Sequence, residues 1–592
     1  MAGTALESTA NGSISTPSRP PAWLNALLAA SVLALTASLC LLDIVSWDYW
    51  WQLRTGEWIL AEGAVPRVDA YSYTAEGAHY VDIHWLFQIL LHALYALGGH
   101  PAVVLLGKLG SMLLVVLLLA PLGLDPRRGA LSAIALGFVL VLSAERIMPR
   151  PELPSFVFFA ALVHLIDRSR GHDPRWLYVA APIQLLWVNM HGLYALGIGL
   201  LAIHLAAEVF DLASGVGGSR ARARLLGTTL LLSIAVSFVN PNGLDAVLYP
   251  IAQLGMIGPM EARALGSNVV ELQPALASLP PAGLVAAGLC VALSGLGLVA
   301  GRGRLRTADW LSWLAFLYLA LAARRNLAFF GILAAPLIAR YWNAALDARP
   351  RSGAPRRGVF AGLVVVVLLL AVSWDVGRGS FHRRLGIPRE PGLGVMQTFY
   401  SFGAMDFIRT HRPSPPIAHH MADGDLMIFV LYPDYRVMLD GRLEVYGSER
   451  FHRLQFRTHT QLRALDAEYA FGAVLVHYSK VPSQALLRGL QRDPAWKLVF
   501  VDEVSALFLA ADSPAARRVP RLDPRAPDLF PPLEDAGRTQ TELRARGRAL
   551  FYTATRQPRR ARLVMEWASA RHPDIVWDAS MGEPGGRRQV ER

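Results

Sequence analysis

Apolar runs of membrane length recur along about the first 375 residues, and they constrain the fold more than any other feature. The first covers Trp23 to Val45, and ten more lie near 101–122, 129–143, 153–167, 176–190, 192–210, 225–239, 281–300, 310–323, 326–342 and 358–374. A helix needs about 20 mostly apolar residues to cross a bilayer, and only helices and closed barrels satisfy their own backbone there. The pattern predicts a mainly α, polytopic membrane helical bundle of about 11 spans, followed by a small C-terminal α/β extramembrane domain. A count of about 10–13 stays open, because the run 176–210 is broken only at Asn189 to Gly192.

Composition agrees. At 53% hydrophobic and 17% charged, the chain is more apolar than the roughly 45–50% of soluble proteins, and the excess requires lipid. Cys40 and Cys290, the two cysteines, both lie inside apolar runs, which excludes a disulfide framework and a cysteine metal cluster. The net charge of +12 comes largely from arginines in short loops, where membrane orientation accounts for them and nucleic acid is not needed. The first run is too long for a signal-peptide core and lacks a cleavage site before Trp47, so it reads as a retained helix. Residues 1–22, rich in Ser, Thr, Ala and Pro, read as a disordered cytoplasmic tail.

Orientation turns on Ile83 to Gly98, a short segment carrying His84, Gln88 and His92. If it lies in the interface, the loops with Arg127 and Arg128, with Arg168, Arg170 and Arg175, with Arg220, Arg222 and Arg224, with Arg302, Arg304 and Arg306, and with Arg349 to Arg357 share one face. The positive-inside rule makes that face cytoplasmic. The expected organisation is then a membrane domain over 23–374, with its first outer loop at 46–82, an extracytoplasmic α/β domain over 375–512, and a linker and short helical tail over 513–592. Within the tail, Thr539 to His572 suits two helices like a single tetratricopeptide unit, which a partner or the preceding domain must cover.

Under this topology polar groups from distant loops gather at the outer helix ends. Asp48 follows the first span, within Trp47-Asp48-Tyr49-Trp50-Trp51, and reads either as the cap of an interfacial helix or as a carboxylate tuned by burial into a base. Asp82 and His84 flank the next helix start, with the same two readings. Arg146, Arg150, Arg324 and Arg325 stand on the outer side against the charge trend, and either an anionic phosphate or pairing with Glu152 and lipid headgroups would hold them. Asn189, His191 and Asn240 sit at helix ends, as site groups or as turn chemistry. The stretch 245–279, with Glu261, Arg263 and Glu271, suits a partly re-entrant lid. In the C-terminal domain, Asp440, Arg442 and Glu444 form either a binding turn or a charged one. No metal-binding spacing such as HExxH occurs; no cofactor is assigned, and a divalent metal would need scattered ligands.

Several of these segments together resemble the bacterial multispanning GT-C glycosyltransferases, a superfamily that includes protein mannosyltransferases, the aminoarabinose transferases of lipid A and the RgtA/B/C/D-like transferases. The resemblance spans roughly residues 23 to 450. It rests on Trp47-Asp48-Tyr49-Trp50-Trp51 with Leu53-Arg54-Thr55-Gly56-Glu57, on Pro66-Arg67-Val68-Asp69, on His84-Trp85-Leu86, on Arg150-Pro151-Glu152 and on Asn189-Met190-His191-Gly192. It implies a sugar donor carried on polyprenyl phosphate, a glycan, lipid or protein acceptor, and transfer on the outer face of the inner membrane. Asp48 matches the acidic residue expected as base or electrostatic organiser, but the acidic neighbour common in the family is missing. That departure leaves open a catalytically silent scaffold or glycan-binding protein. A transporter would call for charges at mid-membrane and an internal repeat, which the sequence lacks.

Overall fold

The computed structural model describes residues 21–123, 129–171, 173–256, 270–348, 355–387, 389–479 and 483–577. The expected disordered tail up to residue 20, the loop with Arg127 and Arg128, Glu261 and Arg263 of the expected lid, most of the loop from Arg349, and the end of the chain from residue 578 lie outside the described residues.

The chain is a multi-pass membrane protein. Among the described residues seven helices are long and apolar enough to cross a bilayer: Ala22–Cys40, Trp85–Pro121, Gly129–Arg146, Gly192–Ala213, Pro281–Ala300, Arg324–Asp347 and Gly358–Gly377. The four remaining apolar runs are also helical, but shorter or charged at one end. Glu152–Gly171 ends in Asp167-Arg168-Ser169-Arg170, Ala180–Val188 has nine residues, Arg220–Val236 opens with three arginines, and Thr307–Ala322 has sixteen residues.

The first and last spans pack side by side, as do Leu327–Asp347 and Gly129–Ser143. Because the first and last spans are neighbours, the segments beyond them emerge from the membrane at one place. Residues 41–46 and 390–396 exchange backbone hydrogen bonds there: Ile44 N–H donates to Gly394 C=O at 2.9 Å and Met396 N–H to Ile44 C=O at 3.2 Å. The first loop and the C-terminal domain are thereby stitched at their roots.

Helix Tyr49–Glu62 lies between helix Trp85–Ala102 and helix Met421–Leu431 of the C-terminal domain. On the first side Gly56 permits the approach, since a Cβ there would stand 2.1 Å from the Gln88 carbonyl oxygen. Helix Trp85–Ala102 also meets the C-terminal domain, with Tyr95 edge-on to Phe429. It changes direction at Gly98 and Gly99 before a π-helical stretch, Val103–Leu109, leads into Gly110–Gly123.

The C-terminal domain has a four-stranded sheet in the order β1 (Ile417–Ala418), β2 (Ala473–Val476), β4 (Ala506–Ala510), β3 (Trp496–Val501), with β1 parallel to β2 and the other pairs antiparallel. Helix Gln484–Arg492 covers it with Leu486, Leu487 and Leu490 at i, i+1 and i+4. Residues 436–439, strand-like in sequence, pair with the first loop and not with this sheet: Val437 N–H donates to Tyr71 C=O at 2.9 Å and Tyr73 N–H to Val437 C=O at 3.1 Å. Helices Arg538–Ala554 and Pro558–Arg571 pack on each other, and the first also packs on Gln484–Arg492, so the preceding domain covers the pair.

Candidate active site

The end of the first span delivers Asp48 to the junction of membrane bundle and C-terminal domain. Its two preceding residues are held from the segment after the last span. Ser46 N–H donates to Tyr400 Oη at 2.8 Å, and that hydroxyl donates back to Ser46 C=O at 3.0 Å. Trp47 stacks on Phe399 with ring centroids 4.0 Å apart. Asp48 occupies the N-cap position of helix Tyr49–Glu62, yet its side chain makes no capping bond. It turns instead to Arg150, whose guanidinium stands 3.0 Å from Asp48 Oδ2 and also donates from Nε to Ser46 Oγ at 2.9 Å.

Arg150 belongs to an arginine and glutamate chain. Glu271, from the loop 270–273, accepts from Arg150 at 3.1 Å and from Arg146, and Arg146 is also paired with Glu152. Burial works against the Glu271 carboxylate, but Arg146 and Arg150 outweigh it and hold the group well below the usual carboxyl range. Arg324 is committed elsewhere, to Glu145 and to Ser278 C=O at 2.9 Å. Arg325 is half-buried beside this chain, and its Nε is buried with no hydrogen-bond partner among the described residues. Arg146 and Arg324 also line, with Glu145, Asp375 and Arg384, a cleft of about 360 Å³ between helices Gly129–Ser143, Pro281–Ala300 and Pro355–Gly377, whose apolar walls include Leu142, Ala286 and Leu368.

The other sequence candidates fall into two kinds. Asp82 Oδ1 accepts from His84 N–H and from Gln88 Nε2, both at 3.0 Å, which steadies the start of helix Trp85–Ala102. Its Oδ2 is buried without a partner among the described residues, and burial pushes the carboxyl up to about 7. The rings of His84 and His191 lie 5.7 Å apart. Burial lowers His84 to about 4, and burial, His84 and Arg325 hold His191 well below its ordinary range, so both are neutral imidazoles. His191 Nδ1 bonds Ser155 Oγ at 2.9 Å. Asn189 and Asn240 both hold backbone segments. Asn189 accepts from Trp85 Nε1 at 2.9 Å and donates to Val239 C=O at 3.0 Å, while Asn240 closes its own turn onto Ser237 and Gly243.

The C-terminal domain contributes Asp440, Arg442 and Glu444 of the turn expected either to bind or to be merely charged, and with them Gly441 of the same turn and Asp425, which does not stand out in sequence. A Cβ built on Gly441 would stand 2.7 Å from Asp48 Oδ1 and 3.1 Å from Asp425 Oδ2, so only glycine lets the Asp440-Gly441-Arg442 turn come this close. Arg442 forks onto Asp440, with Nε to Oδ1 at 2.9 Å and a terminal nitrogen to Oδ2 at 2.6 Å, and lies against Tyr71 and Tyr80 of the first loop. Glu444, raised to about 7 chiefly by burial, lies within the charge field of Asp48. The one sequence signal for this convergence is the motif Asp440-Gly441-Arg442 itself. Among the described residues no group of three or more His, Cys, Asp or Glu side chains is arranged to hold a metal ion.

The fold of this chain, a helical membrane bundle joined to a C-terminal domain with a small sheet, recurs among solved structures. Two solved structures share that fold. The archaeal oligosaccharyltransferase AglB from Archaeoglobus fulgidus, in complex with an inhibitory peptide and a dolichol-phosphate, matches at a TM-score of 0.51 and 12% identity, over 83% of this chain and 74% of that one. ArnT from Cupriavidus metallidurans in the apo state matches at a TM-score of 0.50 and 13% identity, over 84% of this chain and 99% of that one. No family model and no curated protein matches the sequence.

Proposed function

We propose that the protein is a membrane glycosyltransferase that moves a sugar from a polyprenyl-phosphate donor to an acceptor hydroxyl on the outer face of the inner membrane. The observation that carries this reading is the pairing of Asp48 with Arg150 beside further arginines, two of which, Arg146 and Arg325, have a buried Nε with no partner among the described residues. Transfer needs a group to take the acceptor proton and a charge to receive the leaving phosphate. Asp48 serves the first need. Arg325 and Arg150 serve the second, and Arg146 and Arg324 brace the arginine and glutamate chain through Glu152, Glu271 and Glu145. The largely apolar cleft lined in part by Arg146 and Arg324 suits part of a polyprenyl tail. The shared fold with a protein captured with dolichol-phosphate supports a lipid-linked donor.

The test is Asp48→Asn in the native host, with surface glycans compared by mass spectrometry against wild type and a deletion strain. Loss of the same sugar in both, at normal membrane abundance of the variant, supports transfer with Asp48 as base. If the deletion alters glycans and Asp48→Asn does not, the base assignment is wrong, and a silent scaffold or another carboxylate takes its place.

A further inference from the structure

Asp425 is a second carboxylate at the site, and the proposed transfer does not use it. It sits on helix Met421–Leu431, fully buried, where that helix packs on Tyr49–Glu62. Its Oδ1 accepts from Gly441 N–H at 2.9 Å. Its Oδ2 is buried and has no partner among the described residues. The missing side chain of Gly441 leaves a point that Asp48 Oδ1 approaches to 2.7 Å and Asp425 Oδ2 to 3.1 Å. An idle, buried carboxylate oxygen is costly unless it carries a proton or meets a ligand.

We infer that Asp425 is a positioning residue for Asp48: it keeps a proton and holds it toward Asp48 across the space that Gly441 leaves open. This rests on the reading of Asp48 as the base. It restores, from the far end of the chain, the second acidic group that the first loop lacks.

The groups facing Asp425 are Asp48 from the first loop, Asp440 and Arg442 from the turn, and Tyr400 from the segment after the last span. Burial raises its proton affinity most, Asp48 and Asp440 add to the effect, and the Gly441 N–H and Arg442 oppose it. A neighbouring carboxylate favours the protonated form of a buried one. Arg150 pairs with Asp48. In transfer the acceptor hydroxyl gives its proton to Asp48 as its oxygen bonds the anomeric carbon, and the phosphate departs with the electron pair of the bond it leaves. Asp425 keeps its own proton throughout.

The experiment uses the full-length protein in detergent and dicyclohexylcarbodiimide, which labels carboxylic acids in apolar surroundings, with peptide mass mapping across a pH series. The expected result is labelling of Asp425 at neutral pH, with a midpoint that falls by about one pH unit or more in Asp48→Asn, where the neighbouring charge is gone. In the host, Asp425→Asn, which keeps a neutral donor, is expected to retain about tenfold more of the transferred sugar than Asp425→Ala at equal abundance. No label at neutral pH, a midpoint that Asp48→Asn leaves in place, or equal sugar in the two Asp425 variants overturns the inference. A midpoint that moves while Asp48→Asn leaves surface glycans unchanged keeps the pairing and removes the transferase reading.

Discussion

Arg442 of the C-terminal domain reaches Asp69 of the first loop at 2.7 Å, and both side chains are almost completely removed from solvent, at 2% and 0% exposure. The same guanidinium holds Asp440, so one cation serves two buried carboxylates. Asp69 in turn accepts from Ser72 N–H at 3.0 Å, which bends the loop so that Tyr71, Ser72 and Tyr73 meet Val437. The turn that brings Gly441 to Asp48 is thus anchored through its own next residue.

Arg442→Met is therefore expected to leave two buried carboxylates without their cation, at a cost of about 3 to 5 kcal/mol. Thermal unfolding of the purified protein and its abundance in membranes both report this. Arg442→Lys is expected to recover little, because a single ammonium cannot reproduce the fork onto Asp440 together with the bond to Asp69.

The adjacent arginines 324 and 325 are expected to separate in their effects. Arg325→Ala should lower transfer by about 10² or more with normal abundance, if its free nitrogen meets the leaving phosphate. Arg324→Ala should chiefly reduce abundance, since it strands Glu145. Quantifying transferred sugar per unit of membrane protein distinguishes the two.

A third expectation concerns pH. Asp82 has an ordinary carboxyl value of 3.8 and is raised to about 7 in the folded chain. Below the lower value both states are protonated and the group costs nothing; between the two values the unfolded chain releases the proton and the folded chain keeps it, so stability falls as pH rises. Above about 7 the loss is complete. Asp82→Asn removes this term. Its melting temperature relative to wild type should climb between pH 4 and pH 7 and then level off, and a constant difference would count against the assignment.

Gly441→Ala tests the close approach directly. The added methyl would meet Asp48 and Asp425 together, displacing the turn or the carboxylates. Surface sugar should fall with little change in abundance, whereas Gly303→Ala, which meets nothing within 4 Å, should be silent.

The membrane bundle was legible because lipid imposes long apolar runs, and the α/β character of the C-terminal domain because its strands are short and apolar. Asp48 and Arg150 each stood out as charges at a span end, and the structure places them in contact. Asp425 did not stand out. In sequence it lies in Met421-Ala422-Asp423-Gly424-Asp425, and its position beside Asp48 depends on the packing of helix Met421–Leu431 against Tyr49–Glu62. The hydrogen bonds of Asn189 and Asn240 to Val239 and Gly243 were equally hidden, because polar residues at helix ends serve turns as readily as ligands.

The stitching of the first loop to the C-terminal domain also sets a schedule. Thr74 donates to the carbonyl of Met438, 364 positions later. At ordinary rates of synthesis, the loop that carries Asp48 waits roughly 20 to 70 s for the partners that shape it. A nascent chain that already holds every membrane span therefore still lacks the residues that close around Asp48 from the C-terminal domain.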